Sequence, residues 1–248
     1  MSFINLFQGR KQKGTIESVS QNKARKERVC LFGGTFDPMH LGHLRMADAA
    51  CRNFSLDRMI FMPCGNPYLK KGVSSDEDRL ELTRLSVDEF KEKTSNAVWE
   101  VSDMEIRREG DTYTFETIAA LKDIYPNAEL YFLVGEDSLR YMENWVNPQL
   151  IFADCIVIAA ARPSRKHQTF DAGGHEMHTG SESSGTEERI EDLQARLMKM
   201  FPAEIHIMRF DDPLSASDIR NAVSEGKDIN GMVTEHAGKY ITEKGMYI

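Results

Sequence analysis

Two histidines three residues apart, His40 and His43, stand in the stretch LFGGTFDPMHLGH. Histidine is scarce in this chain, with seven among 248 residues. Positions i and i+3 of a helix lie on one face, so both imidazole rings would point to the same side. Imidazoles beside a helix N-terminus can donate hydrogen bonds to phosphate oxygens and stabilise negative charge in a transition state. The pair therefore predicts a site for a phosphate-bearing ligand.

The residues before the histidines have the layout of a strand, a turn and a helix. Gly33 and Gly34 follow a short apolar run, allow a tight turn and would let backbone N–H groups approach a ligand closely. Thr35 adds a hydroxyl, and Asp37 followed by proline is typical of a helix start, with the aspartate as cap. Gly42 would keep the space between the two rings open. Phosphate sites in α/β folds lie at such a position, past the carboxyl end of a strand.

Apolar runs and helical periodicity alternate from Val29 onward, and this alternation predicts the elements that must position the histidines. The predicted strands are Val29–Phe32, Arg58–Met62, Val98–Val101, Glu129–Val134, Cys155–Ala160 and Glu204–Met208. The predicted helices are Leu41–Phe54, Asp76–Lys93, Tyr113–Tyr125, Glu187–Met200 and two more at the end of the chain. Such a chain is α/β. We expect a Rossmann-like, doubly wound parallel sheet in a single domain, 29–248, with a helical C-terminal end.

Two segments depart from this alternation. Residues 1–28 are basic with little hydrophobic period, and we interpret them as a disordered tail rather than a contact arm or a targeting peptide. Residues 163–187 are rich in Gly, Ser and Thr, which predicts a mobile surface loop. This loop holds His167, His175 and His178, but HEMH is not the H-E-x-x-H spacing of a helical zinc site. We therefore expect no metal held by the protein itself.

Composition excludes several classes of protein. The formal charge of -8 argues against a protein that coats nucleic acid. No apolar run reaches the roughly 20 residues needed to span a bilayer, so no membrane partner is expected. The four cysteines are scattered without a C-x-x-C pair, which is typical of free thiols in the cytoplasm.

The string GGTFDPMHLGH resembles the signature of the H-x-G-H nucleotidyltransferase superfamily, whose members join a nucleoside monophosphate from ATP or CTP to a phosphate-bearing acceptor. From about Val29 to Ile248 the chain is similar to the bacterial nicotinate mononucleotide adenylyltransferases. The similar segments are FMPCGNPYLKK, GDTYTFETIAALK, ELYFLVGEDSLRYMENW, AARP and LSASDIRNAVSEGKDINGMV. The resemblance implies transfer of AMP from ATP to nicotinate mononucleotide in NAD biosynthesis, with release of pyrophosphate.

The resemblance also implies a role for individual residues. The residues implied in catalysis are His40, His43 and Arg220. Those implied in binding ATP are Gly33, Gly34, Thr35, Phe36, Gly135, Asp137, Ser215 and Ser217. Those implied in binding the pyridine nucleotide are Lys70, Tyr113, Thr114 and Trp145. The implied cofactor is Mg²⁺, which would travel with ATP, and the chain could form a homo-oligomer.

Some observations leave alternatives open. The family usually has a histidine where this chain has Leu69, and a threonine where it has Ser217. The missing histidine puts one local contact to substrate in question. Transfer to nicotinamide mononucleotide or to phosphopantetheine, transfer from CTP to a polyol phosphate, and a non-catalytic nucleotide sensor remain alternative functions.

Overall fold

A computed structural model of the chain describes residues 25–65, 72–94, 96–161, 169–170, 176–177 and 188–248. Its strands are β1 Arg28–Gly34, β2 Arg58–Pro63, β3 Val98–Val101, β4 Glu129–Gly135, β5 Ile156–Ala161, β6 Thr169–Phe170, β7 Glu176–Met177 and β8 Glu204–Arg209. Its α-helices are α1 Leu41–Phe54, α2 Asp76–Phe90, α3 Thr114–Ile124, α4 Glu136–Tyr141, α5 Pro148–Asp154, α6 Ile190–Met200, α7 Ala216–Ser224 and α8 Glu235–Lys244.

Six strands form one parallel sheet in the order β3-β2-β1-β4-β5-β8. The chain moves outward from β1 to β2 and β3, then returns to the centre and moves the other way through β4, β5 and β8. This is the strand order of a doubly wound Rossmann-like sheet, so the predicted fold class is confirmed. Strands β6 and β7 form a separate antiparallel pair.

The sheet has a hydrophobic core on each face because successive residues of a strand point to opposite sides. On one face, Val29 and Leu31 of β1 pack in a cluster with residues of α3, α5 and α6. On the other face, Cys30 and Phe32 pack in a cluster with residues of α1 and α2. A third cluster joins α2 to α7 and α8. The segment between these two C-terminal helices lies beside the start of α1, since the Leu41 N–H donates to the Met232 carbonyl at 2.9 Å.

Most of the predicted elements are confirmed within one to three residues. The long helix predicted from Asp76 ends at Phe90 and continues as a single 3-10 turn, Lys91–Lys93. The short helices α4 and α5 were not predicted. Residues 1–24 and most of the 163–187 segment, with its three histidines, lie outside the described residues.

Candidate functional site

The ladder between the two central strands, β1 and β4, stops short of the carboxyl edge of the sheet, and we call the gap beyond its last pair the crevice. The β1–β4 ladder stops at the pair Leu31–Phe132, whereas the β1–β2 ladder continues to Gly34–Pro63. Beyond Leu31, therefore, β1 is hydrogen-bonded on one side alone. This is the point where the strand order reverses, and open α/β sheets bind ligands there. The predicted Gly33, Gly34 and Gly135 lie at the two walls of this crevice.

The turn from β1 to α1 is built differently from the sequence prediction. Gly33 and Gly34 end the strand, and the left-handed residue of the turn is Phe36, with φ 48°. A Cβ on Gly34 would lie 2.8 Å from the Phe36 ring, so glycine is required there to let this buried ring fold back. Thr35 follows the strand directly, and its carbonyl faces the guanidinium of Arg79 at 2.8 Å.

The prediction that Asp37 caps α1, with Pro38 in its first turn, is wrong. The helix begins at Leu41 with His40 as N-cap, and Asp37 and Pro38 form the preceding turn through a cis peptide bond. The Asp37 carboxylate accepts hydrogen bonds from distant groups instead, the Ser74 N–H at 3.2 Å and the Tyr247 hydroxyl at 2.7 Å. Tertiary partners therefore outweigh the local capping preference of aspartate.

The two histidines come together as the spacing predicts. Their rings stack with centroids 3.6 Å apart, at the first turn of α1. The His40 N–H donates a hydrogen bond to His43 Nδ1 at 3.4 Å. In the neutral His43 ring the proton is therefore on Nε2, and this N–H group can donate a hydrogen bond to a ligand. His40 is 5% exposed. A Cβ on Gly42 would lie 3.0 Å from the His40 ring and from Asp212 Oδ1, so glycine keeps this approach open.

Arg220 reaches the same turn from the C-terminal helices. Its guanidinium donates to the Asp37 carbonyl at 2.8 Å and to Ser217 Oγ at 3.1 Å. Ser215 is the N-cap of α7, and its hydroxyl accepts a hydrogen bond from the Asp218 N–H. The N-terminus of α7 and the start of α1 are thus joined through one arginine. The site thus combines the N-termini of α1 and α7 with the side chains of His40, His43 and Arg220. Such a group is suited to binding an anion.

The other predicted residues are spread over α3, α4 and the segment after α4. Gly135 is the N-cap of α4, Asp137 is exposed in its first turn, and Tyr113 and Thr114 begin α3. Trp145 is partly buried and packs against Phe132, at a centroid distance of 6.3 Å. A Cβ on Gly33 would meet the same Phe132 ring at 3.8 Å, so Phe132 neighbours both Trp145 and the end of β1. Lys70 lies outside the described residues.

Arg79 of α2 is the main residue of this site that the sequence analysis did not identify. It is 0% exposed, at the base of the loops that surround the crevice. Its guanidinium donates to the carbonyls of Thr35, Cys64, Gly65 and Ser74 and forms an ion pair with Asp76. The turn after β1, the loop after β2 and the start of α2 are therefore held by one side chain. In the sequence Arg79 stands in DEDRLEL, which is typical of an exposed charged face.

Glu105 is a second residue that sequence analysis did not identify. Its carboxylate accepts a hydrogen bond from the Thr117 hydroxyl at 2.6 Å and others from Thr112 and the Gly65 N–H. Burial raises the pKa of this carboxyl, while these hydrogen bonds and the Arg108 charge oppose the increase. Glu105 thus joins the loop after β2 to the turn that carries Tyr113 and Thr114.

No group of three or more His, Cys, Asp or Glu side chains in the part of the chain that the structure describes could hold a metal ion. None of the helices among the described residues is long and apolar enough to cross a membrane.

Comparison with known proteins gives one family. The model of the family described as cytidylyltransferase-like matches residues 31–222. A "Probable nicotinate-nucleotide adenylyltransferase" of Desulfitobacterium hafniense (strain DSM 10664 / DCB-2) is 36% identical over 229 residues, which cover 90% of this chain and 97% of that protein. A protein of the same name from Neisseria meningitidis serogroup B (strain ATCC BAA-335 / MC58) is 33% identical over 223 residues, which cover 89% and 98% of the two chains.

Solved structures share the fold. The Plasmodium falciparum nicotinic acid mononucleotide adenylyltransferase complexed with APC superposes with a TM-score of 0.64, at 17% identity, over 89% of this chain and 97% of that one. The same protein complexed with NaAD gives a TM-score of 0.63, at 18% identity and with the same coverage. The described sheet and helices therefore have the architecture of these proteins.

Proposed function

Because the chain belongs to the cytidylyltransferase-like family and, within it, to the nicotinate-nucleotide adenylyltransferases, we propose that it transfers AMP from ATP to nicotinate mononucleotide. The products are nicotinate adenine dinucleotide and pyrophosphate. One observation carries the proposal. The stacked pair His40 and His43 and the guanidinium of Arg220 converge on the turn after β1, at the switch point of the sheet. That is where a nucleotide binds in this fold.

The triphosphate of ATP lies at the first turn of α1. Helix N-termini attract anions through free N–H groups and the helix dipole. His43 donates from Nε2, since its Nδ1 accepts the His40 N–H. Arg220, already oriented by the Asp37 carbonyl, offers a guanidinium that fits phosphate oxygens in pairs. Ser215 and Ser217, at the start of α7, add hydroxyl groups beside that guanidinium.

The two nucleosides occupy opposite sides of the crevice. Gly33, Gly34, Thr35 and Phe36 line the ATP side from β1, and Gly135 and Asp137 line it from β4. Among the described residues, none apart from its two chain neighbours lies within 4 Å of where a Cβ on Gly135 would stand. The exposed Asp137 carboxylate can accept a hydrogen bond from a ribose hydroxyl.

The pyridine mononucleotide binds against Tyr113, Thr114 and Trp145. Flat heterocycles stack well on aromatic side chains. Trp145 is held by the Phe132 ring, and Tyr113 stacks on Phe115 at a centroid distance of 6.1 Å. By the family resemblance we also assign Lys70 to this substrate, as a residue that would bind the phosphate of the mononucleotide.

The chemistry is a single displacement at phosphorus. A phosphate oxygen of nicotinate mononucleotide attacks the α-phosphorus of ATP, the new P–O bond forms, and the bond to the pyrophosphate oxygen breaks with its electron pair on pyrophosphate. No side chain has to act as a nucleophile. Catalysis consists of holding two anions in line and stabilising the charge that develops, which is the task of His40, His43 and Arg220.

Mg²⁺ is proposed to enter with the triphosphate rather than to bind a protein cage. The described residues offer no cluster of carboxylates for it. Mg²⁺ usually keeps several waters and binds through substrate phosphates with few protein ligands. When bound, it supplies charge neutralisation of the phosphate oxygens, while the side chains named above orient them.

Release of pyrophosphate from ATP tests the proposal. We expect the purified protein with ATP and Mg²⁺ to release pyrophosphate only after nicotinate mononucleotide is added, in equal amount to a product with the mass of nicotinate adenine dinucleotide. The acceptor dependence follows because no enzyme-bound intermediate is formed. ATP that binds without any pyrophosphate release would contradict the proposal and indicate a nucleotide sensor.

A further inference from the structure

The penultimate residue of the chain, Tyr247, reaches the turn in front of the histidines. It follows α8 and has left-handed backbone, with φ 65°, a conformation unusual for a residue other than glycine. Its hydroxyl donates to Asp37 Oδ1 at 2.7 Å. Asp37 is 7% exposed, so this hydrogen bond to a carboxylate is shielded from water. A conformation of this kind persists where the surrounding contacts hold it.

Asp37 connects Tyr247 to the groups that bind the triphosphate. Its other carboxylate oxygen accepts the Ser74 N–H, which fixes the start of α2. Its backbone carbonyl accepts Arg220 Nη1 at 2.8 Å. His40, the N-cap of α1, stands three residues further along the chain. A shift of Asp37 would therefore move both the carbonyl that orients Arg220 and the turn that presents His40.

The electrostatics agree with this geometry. Burial, followed by the hydrogen bond to Asp37, raises the pKa of the Tyr247 phenol, while a hydrogen bond with the Ser74 side chain and the Arg220 charge lower it by smaller amounts. The phenol therefore stays protonated and remains a donor at neutral pH.

We propose that Tyr247 is a positioning residue of the active site, which acts through Asp37 to fix Arg220 and His40 in the geometry that stabilises the transition state. This inference rests on the proposed function, since that function assigns the roles of Arg220 and His40. Tyr247 touches neither substrate in this account. A purely structural role, in which the C-terminus only anchors itself on the domain, is the alternative.

The chain offers a matched control in Tyr240 of α8. Its hydroxyl also donates to an aspartate of the α2 region, Asp78 Oδ1, at 2.9 Å. This contact joins α8 to α2 and does not involve the turn after β1. Tyr240→Phe therefore removes a comparable hydroxyl–carboxylate hydrogen bond away from the site.

The experiment compares Tyr247→Phe and Tyr240→Phe by steady-state pyrophosphate release with ATP and nicotinate mononucleotide, and by thermal unfolding. We expect Tyr247→Phe to lower kcat about tenfold, because misplacing a group of the site by a fraction of an ångström slows the chemical step. KM for both substrates should change less than twofold. Tyr240→Phe should keep the wild-type kcat, and both variants should unfold at similar temperatures. Equal kcat for Tyr247→Phe and the wild type would overturn the proposal.

A double-mutant cycle with Asp37→Ala tests whether Tyr247 acts on kcat through Asp37. If Tyr247 acts through Asp37, adding Tyr247→Phe to Asp37→Ala should lower kcat by less than twofold, because coupled residues are not additive. The same tenfold loss in both backgrounds would overturn the proposed route. The wild-type protein is the reference in each assay. If the wild-type protein released no pyrophosphate, this would contradict the proposed function itself, and with it the positioning role.

Discussion

Replacing His43 with alanine should lower kcat by roughly 100-fold or more, with a change in unfolding temperature of only a few degrees. His43 sits in the first turn of α1, and its Nδ1 accepts the His40 N–H, which aims Nε2–H away from the backbone. Alanine removes a preorganised donor that, in the proposed mechanism, acts on charge developing at the transferred phosphate. The measurement is steady-state pyrophosphate release with ATP and nicotinate mononucleotide.

His206 supplies the control for this variant. It lies on β8 and packs beside Phe54, the last residue of the helix that begins next to His40. The length of α1 places it about 20 Å from the stacked pair. His206→Ala should retain wild-type kcat. Near-normal turnover in His43→Ala, or equal losses in both variants, would contradict the role assigned to His43.

Replacing Arg79 with methionine should destabilise the domain by about 3–5 kcal/mol, since a buried hydrogen-bonded cation is removed and its partners remain. Arg79 is 0% exposed and donates to four backbone carbonyls, those of Thr35, Cys64, Gly65 and Ser74. Methionine fills a similar volume but satisfies none of these acceptors. Thermal and denaturant unfolding should show the loss as a decrease in Tm of roughly 10 °C.

Arg84, on the same helix, is the matched control. Its side chain is 45% exposed and pairs with Asp103 at 3.4 Å. Surface pairs of this kind contribute little, so Arg84→Met should change the free energy of unfolding by less than about 1 kcal/mol. If Arg79→Met unfolded at the same temperature as Arg84→Met, the four carbonyls would not depend on the Arg79 guanidinium.

The histidine pair could be predicted from the sequence because its geometry is local. Spacing of three residues in a helix places both rings on one face, and the observed stacking of His40 and His43 follows from it. The same holds for the strands. Runs such as Glu129–Val134 are buried on both faces and read as continuous apolar segments, which is typical of a parallel sheet.

Asp37 shows where local reasoning fails. Aspartate before proline is a common helix start, but here the carboxylate accepts from Ser74 and Tyr247, 37 and 210 residues away in sequence. No local sequence pattern indicates hydrogen-bond partners that are so distant in sequence. The helix begins at Leu41, and His40, three residues after Asp37, takes the capping position.

Arg79 and Glu105 were missed for the same reason. Each stands among other charged residues in the sequence, where a solvent-exposed position is the usual outcome. In the fold, both side chains contact the loop after β2 instead. Arg79 donates to the carbonyls of Cys64 and Gly65, and Glu105 accepts a hydrogen bond from the Gly65 N–H. The short helices α4 and α5, of six and seven residues, are too brief to show a helical period.

A competition between acceptors tests the proposed function most directly. The wild-type protein would be supplied with ATP, Mg²⁺ and equal concentrations of nicotinate mononucleotide, nicotinamide mononucleotide and phosphopantetheine, and the products would be separated by mass. We expect nicotinate adenine dinucleotide to form first and to dominate the products. A dominant nicotinamide dinucleotide or dephospho-coenzyme A would contradict the proposed substrate while keeping the chemistry, and the absence of every product would contradict the enzyme itself.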